Sequence, residues 1–319
     1  ALVWLALADD WTEHVESWTA TESGTELHTN TPYYVRVTRD GDPEAGHLRT
    51  LANNGPTLDE REIIDGGFLE LVRLGVKPHD DEVILNSIEV ADDTIRVDTP
   101  HGPAFYRYNG DGYGEREGDD EGAPWSIETK GSGRLWPIFT GERGEYELVA
   151  GTEEGPLAPR NLLRTMQGFA NSGRMLAEQV WDREHETDYN WEFGEGTGAA
   201  TPLAWSMAQY CRLAHGIDAD APIEMPAFVR ERYVETDRPD GPSLRVNTNF
   251  AGDELVVDGE TDGVLVAVRT EQSTALVEPE DGEFETRIGI GYGENQVTVA
   301  AATHADLTKA GTSVKRFTL

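Results

Sequence analysis

The stretch Ala177-Glu178-Gln179-Val180-Trp181-Asp182 sets one carboxylate beside an amide and an indole. A lone acid among groups that can grip a hydroxylated ring is what activation of water at an anomeric carbon needs. In that reading Glu178 is the general base, and Gln179 and Trp181 line the ground around it. Arg107-Tyr108 and Trp125 offer a charged fork and flat platforms. Sugars present hydroxyls at their edges and C–H bonds on their faces, so these side-chain types suit them. Each feature also has a plainer reading: a glutamate at a helix end, and arginine or aromatic residues packed in a loop.

Other motifs carry less chemistry. Gly194-Glu-Gly-Thr-Gly198 has the look of a phosphate cradle, but no strand precedes it and Glu195 would repel a phosphate, so it reads as a hinge. Asp40-Gly-Asp42 and Asp119-Asp-Glu121 could hold calcium, yet neither fits a twelve-residue calcium loop. The eight histidines lack metal spacing, and one cysteine cannot build a zinc–thiolate site. No metal and no cofactor is therefore expected. No Gly-x-Ser-x-Gly elbow occurs. Glu60, Glu62, Glu142 and Glu145 are candidate second carboxylates, although each sits in a charged helical pattern that reads as surface.

The charge balance narrows the partners. The 319 residues hold 60 Asp and Glu against 26 Lys and Arg, a net charge of −34. Only Lys77, Lys130, Lys309 and Lys315 are lysines. A dispersed acidic excess with little lysine reads as a solvation device for high salt, where repulsion is screened within about 3 Å at 1 M. It excludes nucleic acid, for which there is no basic stripe. No run of about 18 apolar residues is present, so no membrane insertion by a helix is expected. The single Cys211 precludes an internal disulfide and falls on a stripe with Leu203, Met207, Tyr210 and Ala214 that reads as packing. Oligomeric state is left open.

Periodicity places the elements. Helices are expected over residues 1–20, 59–75, 80–94, 134–150 and 160–172, from Thr201 as N-cap with Pro202 in the first turn to His215, and over 227–234. Residues 27–58 read as loop and short strand, with Tyr33–Val37 their strand-like run, and 98–125 is a long glycine-rich segment whose aromatics argue for order. After Arg238-Pro-Asp-Gly-Pro242 the pattern changes to short alternating runs at 244–247, 254–258, 264–270, 284–290, 296–301 and 314–319. That spacing is the mark of a β-sandwich. Two domains follow, residues 1–238 and 243–319.

Taken in order, several segments resemble glycoside hydrolase family 15, the glucoamylase and glucodextranase group, in its bacterial and archaeal branch. They are Asp59–Gly75, Arg107-Tyr-Asn-Gly-Asp-Gly-Tyr-Gly114, Pro124-Trp125, Gly133–Glu147, Ala177–Asp182 and Gly196–Ser206. The resemblance runs from residue 1 to about 236. It implies an all-α, partial (α/α)6 barrel followed by a small all-β, immunoglobulin-like sandwich of the kind attached to glucodextranases. It also implies exo-acting, inverting hydrolysis of α-glucosidic bonds, with an α-glucan as partner. Glu178 matches the family's general base, and Arg107 and Trp125 match substrate-binding positions. The family's general acid lies in a Trp-Glu-Glu-type motif that does not occur in these residues. The expectation is therefore a C-terminal fragment of a salt-adapted enzyme, leaning towards an extracellular location. Two other readings stand beside it: a non-catalytic carbohydrate-binding protein with a vestigial helical domain, and an intact enzyme using an internal acid such as Glu60.

Overall fold

The computed structural model describes residues 1–118, 120–129, 131–185, 187–252 and 254–319. Two units separate within it: Glu16–Glu235, and Ala1–Val15 together with Thr236–Leu319. The expected division differs at one end, because the first fifteen residues, most of helix α1 (Leu2–Thr19), group with the C-terminal unit.

The larger unit is built from short antiparallel pairs and helices. Its pairs are β1 (Ala20–Thr21) with β2 (Tyr33–Tyr34), β3 (Leu48–Thr50) with β4 (Thr57–Asp59), and β5 (Arg96–Thr99) with β6 (Gly102–Phe105). Its helices are α2 (Leu69–Arg73), α3 (Glu82–Ile95), α4 (Pro137–Ala150), α5 (Pro159–Gly168), α6 (Ala204–Ala219) and α7 (Ala227–Arg230). Local chemistry sets the ends. Asp81 caps α3 by accepting the N–H groups of Val83 and Ile84, and Gly151 ends α4 in a left-handed turn at φ 71°. One core gathers Tyr34, Phe68, Val72, Ile84, Ile95 and Phe105; a second gathers Leu135, Met166, Phe169, Leu176, Val180 and Leu213.

Close approach of α4 and α6 depends on two glycines. A Cβ at position 141 would lie 2.4 Å from Gln209 Cγ, and one at 144 would lie 2.6 Å from Leu213 Cδ2. The face that α6 buries is accordingly Ser206, Gln209, Leu213 and Gly216. This corrects the expected apolar stripe, for Cys211 lies outside it and is exposed.

The smaller unit is a two-sheet sandwich. Strands β7 (Leu244–Ala251), β8 (Glu254–Thr261), β9 (Leu265–Arg269), β10 (Thr274–Val277), β11 (Glu283–Gly289), β12 (Gln296–Ala302) and β13 (Thr312–Thr318) form it. One sheet has the order β10-β9-β12-β13, the other β11-β8-β7, and every neighbouring pair is antiparallel. Leu255, Val257, Val266, Val268, Phe284, Val297 and Val299 meet in the core between them. On the far side of the four-stranded sheet Ala267, Ala300 and Ala302 pack against Leu2, Val3, Ala6 and Leu7. Covering both faces explains why β12 reads as a nearly continuous apolar run. Strand β10 was not expected, since its four residues follow no clear alternation.

Two further expectations change. Residues 59–75 are not one helix: a single 3-10 turn at Glu60–Glu62 precedes α2. The reason is that Ile63–Asp65 runs extended beside residues 108–109, with the Ile64 N–H donating to Asn109 Oδ1 at 2.7 Å and Asp65 bridging to Tyr108. Thr201 does not cap α6. Its hydroxyl donates to the Ala199 carbonyl at 3.1 Å, the Thr201–Pro202 bond is cis, and Leu203 occupies the cap position.

Gly141→Ala is expected to lower stability by about 1–3 kcal/mol through overpacking, outweighing the ~1 kcal/mol of helix propensity that alanine adds. Denaturant unfolding reads this as a lower midpoint; an unchanged or raised midpoint would mean that α4 and α6 can spread.

Candidate active site

The segment Leu176–Trp181 is extended and held on two sides. Val180 exchanges both backbone hydrogen bonds with Leu135, at 2.8 and 3.2 Å. On the other side Glu178 N–H donates to Ala200 O and Trp181 N–H to Glu195 O, while Thr197 N–H donates to Gln179 O. Leu203 N–H donates to Leu176 O at 2.9 Å, which ties the start of α6 to the same segment. Leu176 and Val180 enter the second core. The backbone of Glu178 is therefore fixed by neighbours that are themselves buried.

Arg134 is the hub beneath it. Its side chain is fully buried. Nη1 donates to Asp182 Oδ1 at 3.1 Å, and Nη2 donates to the carbonyls of Glu115 and Arg116, each at 3.2 Å. Nε lies 3.8 Å from Glu115 Oε2, and the guanidinium sits 4.2 Å from the centroid of the Trp181 ring. Its backbone N–H donates to Gln179 Oε1 at 2.7 Å. Tyr106 closes the network by donating its hydroxyl to Asp182 Oδ2 at 2.8 Å.

Above this floor, Glu178 is half-buried and meets Tyr113, whose hydroxyl donates to Oε2 at 3.4 Å. Tyr113 meets Trp125 edge-on at 5.1 Å and Trp136 at 6.5 Å. Arg107 lies 5.5 Å from the Tyr113 centroid and 5.0 Å from that of Trp136. Asp111 holds Arg107 through two bonds, 2.8 Å to Nε and 2.9 Å to Nη2. Burial pushes the Glu178 carboxyl above the ordinary glutamate value, and Glu115 adds to this. Tyr113, Arg107 and Gln179 pull it back. Burial also opposes the charge of Arg107, but Asp111 outweighs it and the guanidinium stays firmly protonated. The indole N–H groups of Trp125 and Trp136 are buried and have no acceptor among the described residues.

Not every expected residue lines this space. Glu178, Arg107 and Trp125 come together around Tyr113. Trp181 is corrected: it is fully buried under Arg134 and packs instead of offering a platform. Tyr108 is also buried, with Arg36 4.0 Å and Arg107 5.2 Å from its centroid, so it backs Arg107 from below. Gln179 is buried, and its carbonyl oxygen is committed to the Arg134 backbone. Sequence reasoning missed Asp111, Arg134, Trp136 and Asp182, and passed over Tyr113 as a loop aromatic. Asp111 stands four residues after Arg107 and Tyr113 stands between two glycines, which are usable signals. Nothing local marks Arg134 and Asp182 as partners.

The spare carboxylates are corrected too. Glu145 is fully buried, with Arg212 Nε at 3.0 Å and the Gln209 amide donating at 3.0 Å. Glu60 is buried and takes the Arg39 N–H at 3.0 Å. Glu142 is part-buried, and burial first, then the Glu70 charge, push its carboxyl up to about 7. Of the acidic clusters, Asp119 lies outside the described residues, and Glu121 is engaged by Arg183 and by His185 at 2.9 Å. A cavity of about 430 Å³ between α5 and α6, walled by Met166, Met207 and Tyr210, holds no carboxylate and offers no base.

Comparisons with known proteins give the family. A family model described as glycosyl hydrolases family 15 matches residues 2–215. A glucoamylase of Clostridium sp. (strain G0005) is 43% identical over 229 residues, 71% of this chain and 29% of that protein. The crystal structure of a bacterial glucoamylase complexed with acarbose is similar at a TM-score of 0.62 and 42% identity, covering 71% of this chain and 30% of that one. The chain thus spans less than a third of the length of these relatives.

Removing the hub guanidinium should be severe. Arg134→Met leaves buried Asp182 with only the more distant Arg183, at 3.7 Å, as a cation, and a loss of about 3–5 kcal/mol is expected. The Arg134→Met/Asp182→Leu double variant should recover part of it. Urea unfolding of the three chains decides; a single-variant loss under about 0.5 kcal/mol, the range of an ordinary surface substitution, contradicts the hub.

Proposed function

Because the chain belongs to glycosyl hydrolases family 15, we propose that Glu178 is the general base of an inverting, exo-acting hydrolase of α-glucans. The type is glucan 1,4-α-glucosidase or glucodextranase. The observation that carries this is a half-buried carboxylate held by a phenol within a cage of one cation and two indoles. The Glu178 carboxylate takes a proton from water as the oxygen of that water bonds to the anomeric carbon. The glycosidic C–O bond breaks on the opposite face, and the departing oxygen receives a proton from a general acid. The product carries the β configuration. Arg107 supplies a cation for sugar hydroxyls, and the edge-on pair of Tyr113 and Trp125 supplies apolar surface for ring C–H bonds.

Inversion needs the acid roughly 6.5–9.5 Å from the base, across the ring. We assign that acid to polypeptide beyond these 319 residues, since the Trp-Glu-Glu-type motif is not among them. The same reading takes the helices of Glu16–Glu235 as part of an (α/α)6 barrel and the sandwich as an immunoglobulin-like accessory domain. The runner-up use of Glu60 as acid is disfavoured by its commitment to the Arg39 N–H and to Arg49 at 3.5 Å.

In a polypeptide that includes the acid, Glu178→Gln is expected to lower kcat by about 10²–10⁴-fold while the unfolding midpoint stays put. Near-normal turnover of maltodextrin would remove Glu178 from the role. The pH dependence follows from the sign of the shift. A base must be ionised, so activity falls as pH drops through the Glu178 pKa. That acid limb should lie above the ordinary glutamate range, because burial raises this carboxyl. A limb at or below that range, with the fold intact, argues against Glu178.

A further inference from the structure

Tyr113 stands at the centre of the site, and what its hydroxyl does for Glu178 is the next question. Its neighbours leave it little freedom. A Cβ at position 112 would fall 2.1 Å from the Asn53 carbonyl oxygen, and one at 114 would fall 1.9 Å from that of Ser132. Both flanking residues are therefore glycines because other backbone passes directly over them. The Tyr113 N–H donates to Asp111 Oδ1 at 3.0 Å, and the same oxygen accepts Arg107 Nη2. Gly133 N–H donates to the Asp111 carbonyl at 2.7 Å, which closes the loop on itself. Trp125, Trp136 and Arg107 surround the ring. A phenol held this firmly delivers its hydroxyl to one place, and that place is Oε2 of Glu178.

Resting on the reading of Glu178 as base, we propose that Tyr113 is a positioning residue whose hydroxyl holds Oε2 of Glu178, so that the other oxygen, Oε1, receives the proton from water. The contact of 3.4 Å is longer than ordinary O–H···O geometry, as unliganded sites often show before substrate tightens them. Burial raises the phenol above its ordinary value and the Glu178 charge adds to this, so the hydroxyl remains a donor wherever the carboxylate is ionised. The groups that face Glu178 are Tyr113, Arg107, the Gln179 amide and Glu115. Of these only Tyr113 can be stripped of its hydrogen bond without changing shape or charge.

The test reads Glu178 directly. Carboxyl ¹³C NMR titration of the 319-residue chain, with the Glu178 signal assigned by its loss in Glu178→Gln, gives the midpoint without any need for turnover. Tyr113→Phe is expected to raise that midpoint by about one pH unit, the scale of a single hydrogen bond to a charged group. Site-specific 3-fluorotyrosine at 113, a stronger donor of nearly the same size, should move it the other way. In the active polypeptide Tyr113→Phe should shift the acid limb of kcat upward with KM nearly constant, whereas Tyr113→Ala should raise KM as well. If neither the phenylalanine nor the fluorotyrosine protein moves the midpoint, Tyr113 serves only as packing and the proposal is overturned, leaving the base assignment intact. If instead Glu178→Gln retains turnover while the midpoint responds to Tyr113, the contact is real and the base assignment is what fails.

Discussion

The site rests on a charge with no access to water. A guanidinium in the interior costs several kcal/mol unless its donors find partners. Arg134 finds them in two stretches of chain far apart in sequence: the carbonyls of Glu115 and Arg116 in one, and the carboxylate of Asp182 with the face of Trp181 in the other. Neither stretch is a helix or a long strand, and neither has a core of its own. They hold one arrangement because any other leaves the cation or Asp182 unanswered, and a half-satisfied polar network is worse than none. The backbone of the same arginine binds the side chain of Gln179, the residue beside Glu178. Position at Glu178 is thus inherited from an ion pair that never touches it.

The same logic runs through the larger unit. Arg143 is buried between Asp92 and Glu147, and Arg73 between Glu70 and Glu224. Each uses the planar fork of arginine to meet two carboxylates at once, a geometry that the single ammonium of lysine cannot match. In a chain with so few lysines, the arginines are the pins that let an acidic sequence fold around a dry interior. Of the described lysines, Lys309 sits exposed beside Asp306, and Lys77 is part-buried between Glu16 and Asp81. Buried carboxylates such as Asp111, Glu115, Glu145, Glu147 and Asp182 each lie within 4 Å of an arginine.

What the sequence disclosed depended on whether the signal was local. Helices α3 and α4 and the C-terminal strands could be read because capping, periodicity and turn residues act over a few positions. The Glu178 motif and Arg107 could be read because their residue types are uncommon in combination. Trp181 was misjudged because an indole next to the Glu178 carboxylate resembles a platform, and only the guanidinium 47 positions earlier in the chain shows it to be covered. Glu145 was misjudged for the same reason: its partners Gln209 and Arg212 lie on another helix. The span 59–75 has helical spacing, but Asn109 and Tyr108 compete for its backbone and win over residues 63–65. In each case the deciding partner was distant in the chain, and no window of residues contains it.

The outward-facing thiol of Cys211 has a practical side. It is the only cysteine in the sequence, and it sits on the helix whose first turn is bonded to the segment bearing Glu178. A spin label or fluorophore attached there needs no prior removal of other thiols and does not intrude on the packed face of α6. Such a reporter would sit a few backbone links from the segment bearing Glu178 and leave every residue of the candidate site unaltered.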